Sequence, residues 1–569
     1  MNKKILYAIL ISIFALHIIL VLISMAQPFE GDEIIFSECA KNYADNGKPS
    51  LIQSQFHNAT RYPDLDKQYH FSSFHSSCLG HPPFYITVLA AFISIFGQSD
   101  YSLRMLQAIF GLFSVFLVFL ISRKIFEESP NKDAVSLIAA ALYALNPLVV
   151  QSSIITDIDG GTLNFFTLLF VYFFISQKNF YYLVPALTLI IWNKFTTPII
   201  LFGALALYFI IQRDWKGAGK NIILFALAGI SFIISFWIFS HLLNVNFLDP
   251  FANIFSPERV SSSRFTLSSM LRSAWSLKIF IYFASPFLLA LFSIFSIKFY
   301  SSIYKKLKNL DSKEKLLLFI NFAAIITILF YAYLGANAWG FPKYYISAMA
   351  PICIFIASFI TSELPKLNKS KISAIAILYI LLVIFMLIFL KDPLLPEFDS
   401  TASNIVAASA LLKVSVGFAF YSIIPFIITF FLASWISKKK IIASLSLLLV
   451  FFYVYINAVQ AITGYSSYYR YGDTGILETV QYFKDNNISA NQVASYPNIG
   501  YYLDIKNYYE ITFVYKTPED FKKYIIENPE INYIAIYERD IVRIGEDNMK
   551  HFGLKEKIGS YYIYEKNGI

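Results

Sequence analysis

Runs of roughly 18 to 22 apolar residues recur along the whole chain, each long enough to cross the hydrocarbon core of a bilayer as a helix. Such runs leave little freedom. Backbone polar groups surrounded by lipid must be satisfied within the segment, so helices form there. A membrane β-barrel is excluded, because its strands are short and alternate apolar with polar residues. The composition agrees: 57% of the 569 residues are hydrophobic and 15% are charged, against about 25% charged in soluble domains. The formal charge of +9 does not point to nucleic acid. Its Lys and Arg residues sit in short loops between apolar runs, where they orient the spans.

The loop charges predict a topology. Lys3 and Lys4 put the N-terminus inside, ahead of a first span near 5–26. That run is longer than the apolar core of a signal peptide, so it reads as a retained span. A polar loop, 27–82, follows on the outside. The segment 83–96 is too short to cross and starts with Pro82-Pro83, so it reads as an interfacial helix, and 27–100 as one outer loop. Further spans are expected near 103–121, 134–155, 162–176, 181–193, 197–212, 222–242, 277–297, 316–334, 345–362, 372–390, 415–436 and 441–463. The total is about 13, with Lys or Arg in every inner loop. Residues 1–465 thus read as a membrane domain in the cell membrane.

From 470 to 569 the pattern changes to alternating helices and strands, expected as a small extracytoplasmic α/β domain. "ILETVQYFKDN" and "TPEDFKKYIIENP" read as helices, the second with Thr517 as N-cap. "NQVASYP", "EITFVY", "INYIAIYE" and "GSYYIYEK" read as strands. The domain could recognise an acceptor or cap the outer face. Of the three cysteines, Cys39 and Cys78 share the first outer loop. They could pair in an oxidising compartment or remain two free thiols.

This topology gathers a constellation on the outer face. It holds Asp32-Glu33, His81 before Pro-Pro, Arg104, Asp157 and Asp159 in "TDIDGG", Lys194, and Lys343-Tyr344. Two acidic loops among several cations suit a reaction in which a base takes a proton while cations hold a departing phosphate. Asp32 is the expected base, its basicity raised by partial burial; the blander reading is a cap or an interfacial ion pair. Asp157 or Asp159 could simply N-cap the helix after Gly160-Gly161. His81 could bind phosphate at a helix start or be a solvated loop residue. Lys194 must meet an anion, either a lipid headgroup or a lipid-linked phosphate. Arg104 and Lys343 could each be plain interfacial anchors.

The Asp-Glu beyond the first span, "GHPPFYITVLAAFISIFGQSDYSLRMLQAIFG", "TDIDGGTLNFF", "WNKFTTP" and "FPKYY" resemble the polyprenyl-phosphate-sugar-dependent glycosyltransferases of the GT-C fold. The group most like this chain contains the protein O-mannosyltransferases and the lipid A aminoarabinose transferases. The resemblance covers roughly residues 1–360. It implies that Asp32 is the catalytic carboxylate with Glu33 beside it, and that Asp159, or Asp157, is the acidic residue of the second outer loop. It further implies that His81, Arg104, Lys194, Lys343 and Tyr344 surround the donor phosphate. Lys343 stands where many members have Arg, which keeps charge and loses bidentate geometry.

The implied activity is inverting transfer of a hexose or pentose from a polyprenyl phosphate to a lipid, glycan or protein hydroxyl. No cofactor is required, and a divalent metal between Asp32 and Asp159 is compatible with the residues. A transporter or flippase for a lipid-linked or glycan substrate is the alternative. Against it, the charges gather at one face rather than the midplane, and the sequence has no inverted repeat. An oligosaccharyltransferase-like enzyme is disfavoured by the absence of a Trp-Trp-Asp type signature from the tail.

Overall fold

The computed structural model describes residues 3–25, 28–29, 32–49, 78, 81–248, 250–251, most of 273–304, 306, 310–334, 342–363 and most of 475–567. The spans expected near 372–390, 415–436 and 441–463 lie outside the described residues, as does Thr517. In chain order the helices are α1 (Lys3–Ser24), α2 (Asp32–Asn46), α3 (Phe84–Phe96), α4 (Asp100–Ile125), α5 (Lys132–Ala144), α6 (Pro147–Ser152), α7 (Gly161–Ile175), α8 (Phe180–Asn193), α9 (Thr196–Gln212), α10 (Trp215–Leu243), α11 (Pro286–Tyr304), α12 (Ser312–Leu334) and α13 (Ile346–Glu363). Among the described residues, five helices are long and apolar enough to cross a membrane: α1, α4, α10, α12 and α13. Helix α3 is short and apolar, as expected for the interfacial segment.

The chain divides into two compact units. The first comprises Met1–Met25, Arg104–Phe239 and Pro257–Tyr468. Its described core centres on α13, which packs against α5 and α12. Ala348, Ala350 and Ala357 are fully buried there, and small side chains let helix backbones approach closely. Helix α10 shows the opposite face of the same physics. Ile222, Ile230, Ile233 and Ile234 are exposed on it. A band of that kind is stable only where lipid is the solvent.

Two spans depart from the sequence reading. The segment 134–155 was expected to be one helix, but it breaks between Ala144 and Pro147. Pro147 lacks an N–H and cannot continue α5, so it starts α6 instead, with the Asn146 side chain accepting from Leu148 N at 3.0 Å. The helix expected over 277–297 includes a break at Ser285, at φ 77 just before Pro286, and α11 runs on to Tyr304.

The second unit comprises Ala26–Leu103, Ser240–Ser256 and Tyr469–Ile569. In it α2 packs on α3, and Cys39 and Cys78 are joined by a disulfide with Cα atoms 6.0 Å apart. Its C-terminal part is the expected α/β domain: α14 (Ile476–Asp485), β1 (Val493–Ser495), α15 (Pro497–Leu503), β2 (Tyr509–Glu510), α16 (Pro518–Glu527), β3 (Tyr533–Tyr537), α17 (Glu546–Met549), β4 (Phe552–Ile558) and β5 (Tyr561–Lys566). The sheet order is β2-β1-β3-β5-β4. The pairs β1–β2 and β1–β3 are parallel, and β3–β5 and β4–β5 antiparallel. Phe483, Val493, Ile499, Phe521, Ile534 and Ile563 form its core. Strand β4 and helix α15 escape the sequence reading. The first is a largely exposed edge with charged side chains, and the second is one short segment after a proline.

The disulfide leaves Cys353, which is buried, as the free cysteine. Denatured, unreduced protein should therefore take up one maleimide, and reduced protein three, by intact mass. Three labels without reduction would rule the bridge out.

Candidate active site

In the membrane unit the acidic loop "TDIDGG" is built by neighbouring helices. The Asp157 side chain accepts from Asp159 N at 3.0 Å, and Gly160 N donates to the Asp157 carbonyl at 3.1 Å, so the two aspartates share one tight turn. Neither caps α7: its N-cap is Gly160, with no side-chain cap. The first-turn donor is met from another helix. Gln107 on α4, fully buried, accepts through Oε1 from Thr162 N at 2.8 Å and from Thr162 Oγ1 at 3.0 Å. Its Nε2 donates to the Asp157 carbonyl at 2.6 Å. The sequence reading missed Gln107, although a glutamine inside an apolar span is a signal, since a polar side chain there must find partners.

The glycines make that approach possible. A Cβ on Gly160 would stand 2.6 Å from Gln107 Nε2, and one on Gly161 would stand 2.5 Å from the Gln107 carbonyl oxygen. The second obstacle is backbone and cannot swing aside. Helix α7 thus begins directly against α4, and the carboxylates are free of capping.

Each aspartate meets a lysine. Lys194 lies on the extended link between α8 and α9, at φ −160 and ψ 133. Its ammonium donates to Asp159 Oδ1, with both side chains more than nine-tenths buried. Lys343 opens a short 3₁₀ turn (Lys343–Tyr345) ahead of α13 and donates to Asp157 Oδ2 at 2.5 Å. Aromatic rings close the cluster. Lys194 Nζ stands 3.8 Å above the Tyr344 ring, which stacks on Tyr331 at 5.4 Å. The Tyr331 hydroxyl is 3.0 Å from Thr196 Oγ1. Five residues singled out in the sequence, Asp157, Asp159, Lys194, Lys343 and Tyr344, therefore form one site. Tyr331 and Thr196 were missed; each is a common residue in an apolar helix and carries no local signal.

Arg104, also on α4, is fully buried and donates to the Met25 carbonyl at 2.9 Å, so it satisfies a main-chain acceptor at the end of α1. Nearby in chain order, an apolar cleft is lined by Ile121, Leu168, Val171, Thr197, Leu201 and Ile354.

The second unit carries the other expected residues. Asp32 is the first residue of α2 and Glu33 the second. The expectation that Asp32 is partly buried is corrected: its side chain is exposed, and Glu33, at 2% exposure, takes the buried position. The reason is helical geometry, since successive residues are turned about 100° apart and only one can face α3 and the domain core. His81 is half-buried one residue before Pro82-Pro83, at the start of α3.

Residues 80–239 match the family model described as dolichyl-phosphate-mannose-protein mannosyltransferase. No curated protein matches the chain. Among solved structures, ArnT from Cupriavidus metallidurans bound to undecaprenyl phosphate is 12% identical, with a TM-score of 0.62 over 97% of each chain. The same protein in its apo state is 11% identical, with a TM-score of 0.57 over 97% of each chain. A weaker likeness, at 14% identity and a TM-score of 0.44 over 98% of this chain and 74% of the other, is to the oligosaccharyltransferase AglB from Archaeoglobus fulgidus with an inhibitory peptide and a dolichol phosphate. The likeness to ArnT is one of fold: the chain is an integral membrane protein with the GT-C fold and a small C-terminal sheet domain.

Gln107→Leu removes the partner of Thr162 N and of the Asp157 carbonyl, and each buried polar group left unsatisfied costs about 1–3 kcal/mol. Gly161→Ala forces α7 away from α4. Both variants should lower the thermal unfolding midpoint in detergent, and Gly161→Ser should do so at least as much as Gly161→Ala. A midpoint for Gln107→Leu equal to wild type would remove Gln107 from this role.

Proposed function

We propose that the protein is a glycosyltransferase that moves one sugar from a polyprenyl phosphate to an acceptor hydroxyl at the outer face of the cell membrane. The observation that carries this reading is the paired set Asp159–Lys194 and Asp157–Lys343 under Tyr344. It is supported by the mannosyltransferase family match over 80–239 and by the fold of an enzyme solved with undecaprenyl phosphate. The donor phosphate is held by Lys194 and Lys343. The apolar cleft beside Thr197 takes part of the prenyl chain. The N-terminus is cytoplasmic and the C-terminal domain extracytoplasmic. The Cys39–Cys78 bridge supports that orientation, because disulfides persist in oxidising compartments.

Asp32 is the general base. Exposure suits a group that must touch an incoming hydroxyl, and bound substrate, rather than the fold, then excludes water around it. Glu33, buried on the other side of the helix, supports α2. The hydroxyl attacks the anomeric carbon from the side opposite the phosphate, the glycosidic C–O bond breaks, and the electron pair leaves on the phosphate oxygen. The carbon is inverted. Lysine ammonium groups stabilise the phosphate as its charge grows. No cofactor is needed on this reading: the N–H donors of two lysines, held in place by their aspartates, meet the charge that grows on the departing phosphate. The acceptor is a lipid, glycan or protein hydroxyl, and the transferred unit a hexose or pentose.

Asp32→Asn should keep the fold and donor binding and lose about 10²- to 10⁴-fold in transfer of a radiolabelled polyprenyl-phosphate sugar. Wild-type turnover in that variant, with a matching loss in Glu33→Gln, would move the base to Glu33. Lys194→Ala should weaken donor binding, but it also leaves Asp159 buried without its lysine. The double variant Lys194→Ala/Asp159→Asn separates the two effects: thermal stability should recover while donor affinity stays low. Full donor affinity in the double variant would take Lys194 out of the phosphate site. Turnover should also persist in excess EDTA; loss of activity restored by a divalent cation would assign an ion to the site.

A further inference from the structure

The C-terminal domain has two adjacent tyrosines that bond outside its own core. Tyr508 and Tyr509 are buried in that core, but Tyr501 and Tyr502, at the end of α15, are half-buried. The Tyr502 hydroxyl accepts from Phe29 N at 2.7 Å and donates to Asp100 Oδ2 at 2.8 Å. The Tyr501 hydroxyl accepts from the Lys41 ammonium at 2.5 Å and lies 3.4 Å from Asp100 Oδ1. The ring of Tyr501 meets Phe29 edge-on at 5.7 Å, and Lys41 Nζ stands 4.3 Å above it. Phe29 is fully buried. Burial also lowers the Lys41 pKa, opposed by Glu38, Asp100 and Asp45.

These contacts bracket the candidate base. Phe29 lies three residues before Asp32 and Lys41 nine after it. Asp100, which receives both hydroxyls, is the first residue of α4. One tyrosine pair therefore ties the approach to α2, the body of α2 and the start of α4 to the tail. On the far side, the disulfide at Cys39 anchors α2 to Cys78.

We propose that the C-terminal domain is a brace for the helix that carries Asp32 and Glu33, with Tyr501 and Tyr502 as positioning residues. This rests on the glycosyltransferase reading for its effect on turnover, though not for its effect on α2. The tail then acts through geometry: it holds the base where the acceptor hydroxyl arrives, and donor capture does not depend on it. Misplacing a catalytic group by about 1 Å is enough to lose much of its rate.

The test uses the full chain in detergent and the double variant Tyr501→Phe/Tyr502→Phe, which keeps both rings and removes only the hydroxyls. Hydrogen exchange read by mass spectrometry over 32–46 should speed up about five- to tenfold, the worth of one or two hydrogen bonds. Transfer should fall about tenfold in kcat with donor KM unchanged. Tyr524→Phe is the control, because its hydroxyl bonds to the Glu510 carbonyl inside the tail. Wild-type exchange over 32–46 in the double variant overturns the brace. So does a kcat loss that the control reproduces at equal thermal stability. If wild-type protein transfers no sugar from any polyprenyl-phosphate donor, the enzymatic reading fails, while the exchange measurement still decides the brace.

Discussion

Two lysine–aspartate pairs, Lys194–Asp159 and Lys343–Asp157, join segments up to 186 residues apart in sequence. A charge in a water-poor wall is tolerable only beside its opposite, and removing one partner of a buried pair costs about 3–5 kcal/mol. Each pair therefore fixes two backbone segments at once. Asp159 holds the link between α8 and α9, and Asp157 holds the turn that starts α13, the central helix of the membrane unit. The pairs are poor substitutes for apolar packing as a source of stability. Their value lies in specifying where two ammonium groups stand.

That specification would fail without the geometry beneath it. An aspartate at a helix start ordinarily turns to the first free N–H groups. Here Gln107 meets Thr162 N from a neighbouring helix, and the glycine pair lets α7 come close enough for it to do so. The carboxylates are thereby released toward the lysines. The same economy appears in the second unit, where α2 presents Asp32 to solvent and buries Glu33.

Much of this was legible in the sequence, because hydrophobic run length and basic loops report directly on membrane crossing. The charged residues stood out for the same reason: Asp157, Asp159, Lys194 and Lys343 interrupt apolar runs where charge is costly. Tyr331 and Thr196 did not stand out, since nothing local distinguishes them from other residues of apolar helices. The break at Pro147 was visible as a residue but was smoothed over by the hydrophobicity around it. The exposure of Asp32 could not be read from an Asp-Glu pair, because which of two neighbours faces inward depends on the packing of α2 against α3. The tail's strands were legible where they are apolar and buried, and β4 was lost because it is an edge strand with exposed, charged side chains.

The paired arrangement also bears on how such a site would handle a donor. Two ammonium groups and two carboxylates sum to zero, so the cluster as it stands has no excess positive charge for a phosphate. An ammonium, however, has three N–H donors, and a bond to one carboxylate oxygen uses one of them. A sugar phosphodiester carries a single negative charge, which becomes two as the sugar leaves. Lysines already locked in place by aspartates would meet that growing charge without first reorganising. A preorganised donor set favours the charge-separated state over the ground state. On the proposed reading, then, the aspartates of the second loop serve the departing phosphate indirectly, by aiming the lysines, while proton removal falls to the carboxylate at the head of α2.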